Sequence, residues 1–145
     1  MRVTSKTQYG LRILLHVARE SKLGKLAQGR EIAVSQSINE PYLEQIMVIL
    51  KKAGLVSTVR GRNGGYQIAR EPAQITLLEV IETFEGGLDL AAAGDGSPAA
   101  GTSAEAHAGT CIWADLTEVI RERTGGITLA QIRDDYAQID PGYVI

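Results

Sequence analysis

Arg60-Gly61-Arg62, Lys51-Lys52 and the run Tyr42-Leu43-Glu44-Gln45 hold the residues whose types and spacing can do chemistry. Arginine forks and lysine ammonium groups hold phosphates, while Glu and Gln side chains read the donor and acceptor edges of bases. A smaller second set is Cys111 with His107 four residues before it, a thiol and an imidazole of the kind that ligates metals. There is no Ser/His/Asp arrangement, phosphate loop or zinc motif. Gly61 to Gly65 lies between two short β-branched runs, not between a strand and a helix, so it is no nucleotide fingerprint. These residues point away from an enzyme and toward a polyanion.

The positioning elements follow from local patterns. Asn39 is a good N-cap, and Pro41 in the first turn loses no hydrogen bond there. Leu43, Ile46, Leu50 and Ala53 recur as one apolar stripe, and Gly54 stops the helix. The other face carries Tyr42, Glu44, Gln45, Lys51 and Lys52. Leu55 to Val59 and Tyr66 to Ala69 read as short strands, with Asn63-Gly64-Gly65 as the hairpin signal because Asn and Gly tolerate positive φ. Arg60 and Arg62 flank the tip, where a planar cation can enter a minor groove or hold phosphates. A recognition helix followed by a β-wing is the reading half of a winged helix-turn-helix. Gly29 to Ser35 forms the preceding helix, and Gln36-Ser37-Ile38 turns into the next.

Thr4 or Ser5 caps an opening helix with Leu11, Leu14, Leu15 and Ala18 as its stripe. Lys6 and the hydroxyls at that helix start can clamp a phosphate, although plain capping explains the hydroxyls equally well. Thr76 caps Leu77 to Glu85, which closes at Gly86-Gly87. From Gly86 to Thr110 there are 6 Gly and 8 Ala in 25 residues, read as a mobile loop that builds no core. Cys111 to Arg123 reads as the last long helix, with Trp113, Leu116, Val119 and Ile120 on an edge suited to a second copy. A thiol at that helix start would have a lowered pKa and sense oxidants; inert packing is the plainer reading. Thr128 caps a short helix to Tyr136, and the apolar end from Asp140 is expected against a partner.

The fold class is mainly α with a small β-hairpin wing. Residues 1–72 are the DNA-binding module; residues 73–145 are a dimerisation and sensor region with the loop at about 86–110. Charge divides in the same place. Residues 1–72 hold 12 Lys and Arg against 5 Asp and Glu, a net +7. Residues 73–145 hold 3 against 12, a net −9. A basic half beside an acidic half suits a polyanion binder tied to a solvated partner module. The single Cys excludes an internal disulfide framework and fits a reducing compartment. No leader-like segment and no apolar run of about 20 residues is present, so a cytoplasmic protein with no membrane partner is expected.

The runs Tyr42-Leu43-Glu44-Gln45-Ile46, Ala53-Gly54-Leu55-Val56, Val59-Arg60-Gly61 and Gly64-Gly65-Tyr66 together resemble the signature of the Rrf2 family of bacterial transcription regulators. Thr4-Ser5-Lys6, Tyr9-Gly10-Leu11, Trp113 and Ile127-Thr128-Leu129 fit as well. The resemblance implies a winged-helix homodimer with a long C-terminal helix, bound to a palindromic operator in double-stranded DNA, usually as a repressor. Its expected DNA contacts are Lys6, Ser37, Glu40, Pro41, Tyr42, Glu44, Gln45, Arg60, Arg62, Gly64 and Gly65. Many members hold an iron–sulfur cluster on three cysteines before the last long helix. Others are cluster-free repressors of cysteine metabolism, so the signal is iron–sulfur, redox or cysteine status. A protein co-regulator is a further partner this allows.

This chain departs from the cluster-holding pattern, because Cys111 is its only thiol. With His107 it offers two ligands, and Gln8 or His16 replaces a thiolate poorly. The first two family cysteines fall near Ala93 and Ala99. Either a cluster-binding parent has lost its cysteines there, or the loop has drifted to alanine. A cluster then belongs to the parent and is not expected in the chain as it stands. The competing reading is a winged-helix protein-interaction module that binds no DNA.

Overall fold

A computed structural model describes residues 2–92 and 100–136. Thr4 is the cap of α1 (Ser5–Lys22), accepting from the Thr7 N–H. The buried stripe of α1 is Gly10, Ile13, Leu14, Val17 and Ala18. The expected stripe was shifted: Leu11 and Leu15 are only half-buried, at its margin. Gly10 belongs in the stripe because the Phe84 ring occupies the space of a side chain, 2.3 Å from where a Cβ would sit.

α2 (Gly29–Gln36) ends at Ser37, whose left-handed φ of 56° turns the chain. Asn39 then caps α3 (Glu40–Lys52), its Oδ1 accepting from the Tyr42 N–H at 2.8 Å. α3 buries Leu43, Ile46, Met47 and Leu50. Ala53, expected on this stripe, is the exposed C-cap instead, and Met47 fills the core position. β1 (Val56–Val59) and β2 (Gly65–Ile68) pair antiparallel, from Val56 opposite Ile68 to Val59 opposite Gly65.

The wing turn differs from the expected one. Its left-handed residue is Gly61 at φ 116°, not the Asn63-Gly64-Gly65 run. Gly64 is required for another reason: a Cβ there would lie 2.1 Å from the Val59 carbonyl oxygen.

Pro72–Gln74 makes one 3₁₀ turn, and Thr76 caps α4 (Leu77–Glu85), which ends at left-handed Gly86. α5 is Ala104–Gly125 and α6 is Leu129–Tyr136. The stretch expected to be a loop to Thr110 is partly helix. Its last seven residues are the first two turns of α5, with Ser103 as cap accepting from the Ala106 N–H. Cys111 is therefore inside the helix, and the terminal field invoked for its thiol acts at Ala104 instead. Ala93, Ala99 and the chain end from residue 137 lie outside the described residues.

The return to the core is direct. Leu77 N–H donates to Ile127 O and Leu129 N–H to Ile75 O, both at 2.8 Å. Ile75, Val80 and Leu129 thereby join the buried cluster of α1, α2, α3 and β1. Thr128 and Gln131 form a reciprocal capping box at the start of α6.

Glu85, at the end of α4, closes on the start of α1. Its Oε1 accepts from the Thr4 N–H at 2.9 Å, the Thr4 hydroxyl at 2.8 Å and the Thr7 hydroxyl. These donors, the Thr7 hydroxyl foremost, hold its pKa below the usual 4.5. A depressed folded pKa gives stability that is full above the unfolded pKa and lost as pH falls through the folded one. Glu85→Gln is therefore expected to lower stability at pH 7 by about 1 kcal/mol or less, since the carboxylate is largely solvated. Urea unfolding at pH 7 and at pH 3 checks this; a gap that does not narrow at pH 3 refutes the carboxylate's part.

Candidate nucleic-acid interface

α3 buries one side and exposes the other. Leu43, Ile46, Met47 and Leu50 are within 1% of full burial. Glu40, Pro41, Glu44, Gln45, Lys51 and Lys52 are exposed, with Val48 64% exposed in their midst. An exposed valine is ordinary on a solvated face, and this one stands between amide and ammonium groups. It is suited to a thymine methyl in a major groove. Val48 escaped the sequence reading, because an isolated valine beside Met47 and Ile49 looks like core.

Tyr42 is placed differently from its neighbours. Its ring is half-buried and meets Tyr9 edge-on, centroids 5.8 Å apart at 89°. The Arg12 guanidinium lies 4.8 Å over the Tyr9 ring and donates from Nε to Gln36 Oε1 at 2.7 Å. This aromatic and cation stack joins α1, α2 and the start of α3, fixing the angle at which α3 leaves the core. Tyr42 is thus first a packing residue, with only its outer part at the surface.

The wing is tied to the same unit. Ala27 exchanges both backbone hydrogen bonds with Tyr66 at 2.8 Å, and Gln28 Nε2 donates to the Gly64 carbonyl at 2.5 Å. The Tyr66 ring packs at Gly29, beside Leu43. Burial pushes the Tyr66 phenol above its usual value, and the nearby Glu44 carboxylate adds to the shift. Glu44 on α3 and the base of the wing are therefore neighbours. Beyond them Arg60 and Arg62 are exposed at the tip, while Gly64 is buried and Gly65 half-buried. The two glycines shape the turn, and the two arginines present charge.

Ser37 is exposed in the turn before α3. Lys6 is exposed at the start of α1, but the Thr4 and Thr7 hydroxyls beside it already face Glu85. The phosphate clamp expected there is reduced to Lys6 and the Ser5 side chain. Gln8 donates to the Val3 carbonyl, and His16 faces the Ser35 hydroxyl at 3.2 Å. Burial lowers the His16 pKa, with Arg19 adding to it.

Cys111 and His107, expected as metal ligands, lie on α5. Cys111 Sγ and His107 Nε2 are 3.6 Å apart, both exposed. Among the described residues no three His, Cys, Asp or Glu side chains come together to hold a metal. A cluster held by about three or four thiolates does not fit one chain with one Cys. On the same helix Ile112, Trp113, Leu116 and Val119 are 40–61% exposed, and Ile120 is half-buried. Among the described residues no helix is long and apolar enough to cross a membrane.

Comparison with known proteins bears on the family and the fold. The family model Rrf2, described as an iron-dependent transcriptional regulator, matches residues 3–135. The HTH-type transcriptional regulator IscR of Klebsiella pneumoniae (strain 342) is 34% identical over 141 residues, covering 97% of this chain and 84% of that one. Among solved structures, T. potens IscR superposes with a TM-score of 0.76 at 33% identity, covering 99% of this chain and 95% of that chain. CymR, the global cysteine regulator of B. subtilis, gives the same TM-score at 28% identity, covering 94% and 98%.

Proposed function

The chain belongs to the Rrf2 family of helix-turn-helix transcription regulators, which are not enzymes, and from that premise we propose that it works as a homodimeric repressor on a palindromic operator. The supporting observation is the exposed face of α3, Glu44-Gln45, Val48 and Lys51-Lys52, with Arg60 and Arg62 exposed on a wing tied to the same helix pair. Glu44, Gln45 and Val48 read base edges in a major groove. Arg60 enters the neighbouring minor groove or its phosphates, with Arg62, Lys6, Lys51 and Lys52 holding backbone. Residues 1–72 make the DNA contacts, and the region from 73 onward pairs the subunits and receives the signal. The lone thiol favours a signal other than a cysteine-held cluster.

The experiment is selection of bound duplexes from a random pool, followed by gel-shift titration on the selected site. Two inverted half-sites about one helical turn apart are expected. Arg60→Ala is expected to weaken binding by about 1–3 kcal/mol, a factor of about 5 to 150. Lys51→Ala is expected to weaken all duplexes alike and to flatten the salt dependence by about one unit of slope. No enrichment of any duplex, with salt-insensitive residual binding, would leave a protein-interaction module as the better reading.

A further inference from the structure

We propose that Gln28 is the positioning residue of the wing: its side-chain amide, held from the start of α2, sets where Arg60 and Arg62 meet DNA relative to α3. This rests on the DNA-binding reading above and adds a residue to it. Gln28 stands at the N-cap of α2, where its side chain makes no capping bond. The residues favoured there, Ser, Thr, Asp and Asn, are shorter and turn back onto the helix's own N–H groups. Gln28 reaches the other way. Its Nε2 donates to the Gly64 carbonyl at 2.5 Å, 36 residues along the chain. Only the amide nitrogen can donate to a carbonyl, so the chemistry fixes which way the amide points.

The receiving turn is shaped for this contact. β1 and β2 pair as far as Val59 opposite Gly65, so Arg60 to Gly64 lie beyond the last pair. Gly64 is buried, and its carbonyl needs a partner. Its N–H donates to the Gly61 carbonyl at 3.0 Å. Gly64 is therefore held on both sides, by Gly61 from within the hairpin and by Gln28 from α2. Gly65 makes room: a Cβ there would lie 3.1 Å from Gln28 Nε2 and 2.8 Å from the Ala27 carbonyl oxygen.

Ala27 pairs with Tyr66 through the backbone, so two consecutive residues grip the start of β2 and the tip before it. A two-stranded hairpin is marginal by itself, and a loose tip would have to be ordered on DNA. Ordering it beforehand removes that cost from binding. α2 also packs on α3, so the offset between the wing arginines and Glu44 and Gln45 is set before DNA arrives.

The test compares two full-length variants. Gln28→Met keeps the length and removes the donor; Gln28→Ser removes the donor and restores a helix cap. Gel-shift titration on the selected operator is expected to show a loss of about 3- to 10-fold in both. The loss is expected to vanish when Arg60 and Arg62 are both alanine, and to add in full to that of Lys51→Ala. Gln28→Ser is expected to melt at or above the wild-type temperature, so its weaker binding does not come from a weaker fold. Amide exchange at Gly64 is expected to quicken in both variants. Wild-type affinity in Gln28→Met overturns the proposal and leaves the DNA-binding reading intact. So does a loss that persists in full without the two arginines, or unchanged exchange at Gly64. A wild-type chain that selects no duplex removes that reading, and this proposal with it.

Discussion

Leu50→Ala is expected to lower the unfolding free energy by about 2–5 kcal/mol, while Val48→Ala, two residues away on the same helix, changes it by about 0.5 kcal/mol or less. Leu50 is fully buried in the cluster that joins α3 to α1 and β1. Removing its branched end leaves a cavity that close-packed neighbours fill only in part. For a chain of this size each kcal/mol moves the melting midpoint by about 2–4 °C. Val48 is 64% exposed and loses little packing. The same pair should reverse on DNA. Val48→Ala is expected to weaken binding where the selected site presents a thymine, and to lose less where uracil replaces that thymine, because the methyl partner is then already gone. Differential scanning calorimetry and gel-shift titration on the two variants read both halves. Equal stability losses at the two positions would mean that α3 is turned differently on the core.

That contrast also marks what the sequence could reveal. The helix starts at Asn39, Thr76 and Thr128 were legible because a capping side chain is a local device, and each accepts the expected backbone N–H. The wing was legible from its two β-branched runs. Its turn was misread because Gly61, Gly64 and Gly65 are alike in sequence, and each is required for a different reason: a positive φ at Gly61, the Val59 carbonyl at Gly64 and the Ala27 carbonyl at Gly65. The buried side of α1 was shifted because apolar residues surround the helix on more than one face. What selects Gly10 is a Phe84 ring 74 residues downstream, for which no local signal exists. The start of α5 was missed for the opposite reason. Ala104 to Thr110 forms helix by alanine propensity and the Ser103 cap, with no apolar stripe for a periodicity argument to find. Of the candidate interface, the charged residues were legible. The half-burial of Tyr42 and the exposure of Val48 were not, since both depend on the orientation of the whole helix.

Replacing both Trp113 and Val119 by Glu is expected to convert a dimer to a monomer at micromolar concentration and to weaken binding to a two-half-site duplex a hundredfold or more. Ile112, Trp113, Leu116 and Val119 follow one edge of α5 at 40–61% exposure, an apolar strip larger than scattered surface hydrophobics explain. The opposite edge is already committed: the Thr117 hydroxyl accepts from the Leu90 N–H at 2.9 Å, and Arg121 reaches Glu82 of α4. Among the described residues the strip stays open to solvent, and a second copy of the same edge is the partner that the proposed two-fold operator would require. Two carboxylates per chain would bring like charges into a desolvated strip, at a cost far above that of one truncated methyl group. The loss on DNA is larger than any single contact explains, because the second half-site is no longer held at a high effective concentration. Such linkage is worth about 10²–10⁴ in affinity. Binding to an isolated half-site supplies the control. It should change little in the variant, since α3 and the wing do not touch the substituted residues. Sedimentation equilibrium and titration of both duplexes decide the matter, and a double variant that sediments as a dimer with full operator affinity would place the subunit contact elsewhere.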